Sequence, residues 1–276
     1  MRINLFFVHF FRSFFRYLFS FIFLSSLLTM THIAIAQPSP EIIHEFAPNG
    51  ILRVGINLGN PLLASFDAST QSFHGISVDL AYQLANTLGL KSEFTSFKTA
   101  GNTVEAVKKG DVDLVFVAID PIRGADVDYS PAYVQIEGAY MVRNDSPLQK
   151  NEDVDQAGID VVVGKGSAYD LFLSREIKHA NLVRAVSSQA VVDDFMNQNS
   201  DVAAGVKQQL EVDSKRYSNL RLLPGRFMVI NQAMGIPKGR NHAGAYLKDF
   251  IEAMKSSGFI QDSLIRNGVD GAKVAE

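Results

Sequence analysis

The sequence predicts an α/β fold built from two strand–helix units. Three observations carry this. Strand-like and helix-like segments alternate along the chain; the run Leu114–Ile119 is apolar at every position; and the alternation stops and restarts after Arg143. Alternation at this spacing builds a parallel-type sheet, and a strand apolar on both faces belongs inside one.

Residues 1–36 stand apart. They hold Arg2, Arg12 and Arg16 without an acid, nine of the chain's 20 Phe, an apolar run from Tyr17 to Leu28, and Ala34-Ile35-Ala36 at the end. A basic start, an apolar stretch and an A-x-A site describe a secretory signal peptide cleaved after Ala36. The apolar run, broken by serines, is short of the roughly 20 residues a spanning helix needs. The expectation is a product soluble outside the cytoplasm, with no Cys for lipid attachment.

Gln37–Gly50 contains Pro38, Pro40 and Pro48 and reads as a linker. Leu52–Asn57 is a short strand, and Asp67–Ser72 a polar hairpin tip. Between Ser77 and Leu88 the apolar positions Val78, Leu80, Ala81, Leu84, Ala85 and Leu88 recur at helical spacing, with Gly89 as the stop. A strand follows over Leu90–Phe97, then a helix over Asn102–Lys109 ending at Gly110, then the apolar strand. After Arg143 the same grammar repeats: strand Ile159–Val163, helix Ser167–Ile177, strand Leu182–Val186, helix Ala190–Asn197, strand Asp201–Val206.

Composition excludes several functions. The 276 residues carry a net charge of −3, and setting aside the leader's three arginines leaves 23 basic against 29 acidic residues, or −6. That balance is wrong for a nucleic-acid binder. Without Cys there is no disulfide scaffold, thiolate metal site or Cys nucleophile. The six His form no H-x-H or H-x-x-x-H pair, and no G-x-S-x-G elbow is present, so neither a metal, a cofactor nor a catalytic residue is predicted.

Two features suit anions. Arg123 follows the buried strand at its carboxyl edge, where a cleft forms in open α/β sheets. A guanidinium grips a carboxylate through two parallel charge-assisted hydrogen bonds. The alternative is a surface Arg in the turn between Pro121 and Gly124. Gly164-Lys165-Gly166-Ser167 joins a strand to a helix, where backbone N–H groups and the helix dipole favour an anion. It lacks the P-loop order, and an ordinary Gly turn with Ser167 as N-cap fits equally.

Three ordered motifs carry a family resemblance: Gly75-Ile76-Ser77-Val78-Asp79-Leu80-Ala81, then Gly110-Asp111-Val112-Asp113-Leu114, then Arg123 followed by Val127-Asp128-Tyr129-Ser130-Pro131-Ala132-Tyr133. Over about Leu52–Gly268 the chain resembles bacterial family 3 extracellular solute-binding proteins, the receptors of polar amino-acid transporters. The resemblance implies a two-lobed periplasmic-binding-protein fold of type II, with discontinuous lobes joined by two crossing strands near Tyr140–Arg143 and Ile230–Gly235. Lobe 1 would take residues 51–141 and return over 233–276; lobe 2 would take 142–232. It further implies a monomer that closes on a small solute and delivers it to an inner-membrane ABC permease.

The family's Arg holds the ligand carboxylate, here Arg123, with Ser167 and Ala168 adding backbone contacts and Phe116 on the strand before it. The pocket departs from the family elsewhere. Asn57 stands where an acid is common, Asn60 where an aromatic stacks on the ligand, Ala100 for another aromatic, and Ala118 for a Thr or Ser. The second-lobe Asp that pairs with an α-ammonium falls at Lys207, which either faces the cleft or is a solvated residue beside Gln208. If it faces the cleft, an anion lacking an α-amino group is favoured. Some proteins of this fold are exported cyclohexadienyl dehydratases or sensory domains, and Glu137 is the acid to watch as a proton donor.

Overall fold

The computed structural model describes residues 37–276. The leader expected over residues 1–36 lies outside them. The elements in order are α1 (Pro40–Phe46), β1 (Ile51–Asn57), β2 (Ser65–Asp67), β3 (Ser72–His74), α2 (Ile76–Leu88), β4 (Lys91–Phe97), α3 (Ala100–Lys109), β5 (Leu114–Ala118) and β6 (Val127–Arg143). Then come β7 (Asp160–Gly164), α4 (Ala168–Glu176), β8 (Asn181–Ala185), α5 (Val191–Asn197), β9 (Val202–Val206), α6 (Lys207–Ser214) and β10 (Leu220–Leu222). Last are β11 (Met228–Pro237), α7 (Asn241–Ser256), α8 (Phe259–Arg266) and β12 (Lys273–Val274).

The main sheet runs β4-β1-β5-β11-β6-β9-β7-β8. Parallel trios, β4-β1-β5 and β9-β7-β8, occupy its two ends. Between them, β6 and β11 run antiparallel to each other and to the strands on either side. Each trio with its helices makes a lobe, and the long β6–β11 pair passes through both. Along β6 the partner changes: residues up to Gly138 face β11, Gly138–Met141 face β9 and Met141–Arg143 face β10. Tyr140–Arg143 therefore already belongs to the second lobe's sheet, while Gln232–Gly235 pairs with β5 of the first.

Caps set most element ends. Thr99 accepts from the Asn102 N–H and starts α3 two residues before its first predicted position, while Gly89 and Gly110 end α2 and α3 in the left-handed region. All five residues of β5 and of β9 are buried, as continuous apolar runs require. The segment read as a linker contains α1. Ser39 caps it by accepting from the Ile42 N–H, and Pro40 sits where a missing N–H costs nothing. Phe46 is fully buried and meets Tyr246 of α7 edge-on at 6.1 Å, so this segment is part of the first lobe's core.

The C-terminal helices close that lobe. Asp79 on α2 accepts from Ser263, Arg266 and Asn267 of α8 and the residue after it. Asp113 is fully buried at the foot of β5. It accepts from Arg53 Nε and Nη2 at 2.7 and 2.9 Å and from Arg240 Nη2 at 3.0 Å. Asp113 thus ties β1, β5 and the start of α7 together.

Candidate functional site

The site grows from the carboxyl end of β5. Ala118 is its last residue, and the chain then turns so that Arg123 points back beneath the strand end. Arg123 is only 4% exposed. Its Nη1 donates to the Ala118 carbonyl at 3.0 Å and its Nη2 to the Gly166 carbonyl at 2.8 Å. Burial pulls the guanidinium's pKa down from its ordinary value, opposed by Tyr129 and Asp120, and the group stays cationic.

Gly166 belongs to the other lobe, so Arg123 spans the cleft. Backbone meets backbone at the same place: a Cβ on Gly166 would lie 3.5 Å from the Gly101 Cα. Two further contacts tie the lobes. Gln189 Nε2 donates to the Leu58 carbonyl at 3.0 Å, and Arg175 of α4 pairs with the buried Asp120 at 3.0 Å. The lobes are closed upon each other.

Between them lies a cavity of about 40 Å³ lined by Asn57, Asn60, Ala118, Arg123, Ser167 and Ala168 of the sequence reading. Its volume suits about three waters, so a larger guest must spread the lobes. Asn57 Oδ1 accepts from the Gly59 N–H at 2.9 Å and shapes the loop, whereas Asn60 Oδ1 is buried without a hydrogen-bond partner. Among the described residues lining this cavity, Arg123 alone carries a formal charge.

Three N–H groups of the Gly164–Ala168 loop, those of Lys165, Gly166 and Ser167, are spent inside the protein. The Lys165 N–H goes to Ala185, that of Ser167 to Gly164 and that of Gly166 to the Asp170 carboxylate. Ser167 Oγ accepts from the Asp170 N–H at 3.0 Å, the N-cap arrangement. Asp170 already sits at the helix start as an internal anion, so what reaches the cavity is the first turn of α4.

Two sequence-predicted residues stand elsewhere. Lys207 does not line the cavity; its Nζ lies 3.5 Å from Glu137, which also takes Arg226 at 2.7 Å. Its partner is 70 positions away on β6, invisible to local spacing. Phe116 is 4% exposed and packs edge-on against Tyr133 at 6.1 Å, because its side of β5 faces the core. Glu137, the acid to watch, faces two cations: Arg226's hydrogen bond, aided by Lys207 against desolvation, holds its carboxyl below the ordinary glutamate value.

The cavity also gathers Ala100, Tyr169, Ser188 and Gln232, of which only Ala100 was placed in the pocket from sequence. Gln232 is buried at 7% exposure although it stands beside a second polar residue, Asn231, in β11, and nothing in the sequence tells which of the two faces inward. Ser188 lies in a polar connection with no distinguishing pattern. Away from the cleft, Glu41, Glu45 and His242 bring three potential ligand atoms within 4.8 Å, but they bond one another and the Ala243 N–H across the α1–α7 contact.

A model of the bacterial extracellular solute-binding proteins, family 3, matches residues 52–265. The chain belongs to this family. Its fold is that of similar solved structures. The solute receptor for L-cysteine of Neisseria gonorrhoeae superposes with a TM-score of 0.71 at 22% identity, covering 83% of this chain and 94% of that one. An ancestral amino-acid-binding protein described as a precursor of cyclohexadienyl dehydratase gives 0.68 at 21% identity, over 81% and 98%. At such identity the likeness establishes the type II periplasmic-binding-protein fold.

Among curated proteins, a membrane-bound lytic murein transglycosylase F of Aeromonas hydrophila is 28% identical over 181 residues, 64% of this chain and 35% of that protein. The same protein of Aeromonas salmonicida matches equally in identity and extent. The chain thus spans about a third of the length of the curated relatives it matches. No helix among the described residues is long and apolar enough to cross a membrane.

Proposed function

We propose that this family 3 protein is the exported receptor of an ABC importer, closing its lobes on a small carboxylate-bearing solute gripped by Arg123. The observation that carries the reading is the position of Arg123: buried, cationic and bridging both lobes at the wall of the cleft. A carboxylate arriving there would complete the guanidinium's donors and favour the closed form, which is how a ligand biases a hinge.

The guest is anionic and lacks a free α-amino group. Lys207 gives no support, since it faces Glu137; the ground is that among the described residues no carboxylate lines the cavity to pair with an ammonium. An ammonium desolvated there would lose several kcal/mol of solvation without a counter-ion, on the order of what isolated buried charges cost. The expected leader, the periplasmic location and the permease belong to the same proposal and rest on the family's extracellular character.

A thermal-shift screen of amino acids, keto acids and simple carboxylates tests the reading. Ligand at 100 times Kd adds about 2.7 kcal/mol of stability, and Arg123→Ala should remove that shift, the unliganded Tm falling separately because the Ala118 and Gly166 carbonyls lose their donor. Tight calorimetric binding of an unmodified amino acid would sink the anion assignment. The transglycosylase and dehydratase relationships motivate an enzymatic alternative. It needs a proton donor, and no acid lines this cavity; turnover of prephenate or arogenate by the purified protein would reverse that conclusion.

A further inference from the structure

The Arg123 cavity is the first of three neighbouring hollows that share lining residues in turn. A narrow passage of about 10 Å³ shares Asn60 and Tyr169 with it, and shares Pro61 and Gln209 with an outer chamber of about 280 Å³. Both walls are interlobe: Gly59–Leu62 from the first lobe, α6 from the second, with Gly268 and Val269 completing the outer chamber. The passage therefore widens whenever the lobes part.

Two buried amide oxygens lack a hydrogen-bond partner along this path, Asn60 Oδ1 at the inner end and Gln208 Oε1 at the outer. A buried acceptor without a donor carries a desolvation cost that an incoming N–H removes. The outer chamber adds the amide oxygens of Gln209 and Asn267, whose amide nitrogens already donate to Asp213 and Asp79, beside Leu62 and Val269, and none of its described lining residues carries a formal charge. Amide and apolar surface in alternation match a neutral peptide-like chain and not a polyol.

Building on the Arg123 reading, we infer that the cleft takes an extended monocarboxylate, with its carboxylate at Arg123 and an N-acylated, amide-bearing tail running past Asn60 to Gln208. The absence of an acid along the path then has a positive role: the ligand's nitrogen enters as a neutral amide.

Calorimetry with four probes tests this: L-alanine, N-acetyl-L-alanine, N-acetyl-L-alanyl-L-alanine and D-glucuronate. In the wild type, affinity should rise at least tenfold from N-acetyl-alanine to the acetylated dipeptide, with alanine and glucuronate weaker than both. Gln208→Ala and Val212→Trp, both on the partly exposed α6, should erase that rise and leave N-acetyl-alanine within twofold. Arg123→Ala should abolish binding of every probe. A missing rise, a rise that survives both α6 variants, or a preference for glucuronate overturns the extended site while leaving the anchor standing. Binding that survives Arg123→Ala, or no binding by any carboxylate probe, overturns the anchor and the tail together.

Discussion

Arg123 commits two donors to backbone carbonyls on opposite sides of the cleft, which fixes the plane of its guanidinium before any guest arrives. A lysine keeps the charge but offers three donors from a single nitrogen, without the planar fork that can hold Ala118, Gly166 and a carboxylate together. Arg123→Lys should therefore weaken the best carboxylate about 100-fold or more by calorimetry; retained affinity would mean that charge alone suffices. Asp113 is the opposite case, a buried acid serving two arginines. Asp113→Ala strands both cations and should cost about 3 kcal/mol in urea unfolding, with ligand affinity of the folded protein unchanged. At this scale the sequence shows the residues of the strand-end loops, because loop position follows from the order of elements. It does not show Lys207, whose role is decided by an acid on a distant strand.

Elements were legible wherever the determinant is local. The continuous apolar runs of β5 and β9 are buried throughout, and glycine ends α2 and α3 where the pattern stops. The Pro-rich stretch misled because proline breaks a helix interior but suits its first turn, and Ser39-Pro40 is a start signal. Gly75 shows how little slack an element boundary can have: its φ is +116°, and a Cβ would come within 2.3 Å of the Leu63 carbonyl oxygen. Gly75→Ala should lower stability by about 2 kcal/mol or more, the range for forcing a side chain into such a conformation, read as a fall in Tm. The contact of α1 with α7 has a pH signature. The hydrogen bond to Glu45 raises the His242 pKa from 6.5, with Glu41 assisting. Its contribution is complete below pH 6.5 and is lost as pH rises through the raised value. Tm of the wild type should thus fall more than that of His242→Gln over the first unit or two above pH 6.5; parallel curves would remove His242 from the contact.

The described residues form two lobes on a shared pair of strands. The closing contacts were not legible, because they join residues far apart in sequence and exist only when the lobes meet. Arg175–Asp120 is such a contact and lies outside the solute cavity. Arg175→Ala should weaken every solute by the same factor, about fivefold for about 1 kcal/mol, whereas a pocket substitution changes their ranking. Solute-dependent losses would place Arg175 in recognition. The register of β6 against β11 shifts between Gln232 and Gly235, where both strands leave the first lobe, which puts an irregular joint beside a cavity residue. The bare backbone contact of Gly101 with Gly166 has a further meaning. It acts as a gauge for how far the jaws can shut, and a bulky side chain at position 101 would be a wedge between them. Selection could then set how tightly this protein holds its cargo, and how readily it lets go, by one residue that never touches the cargo at all.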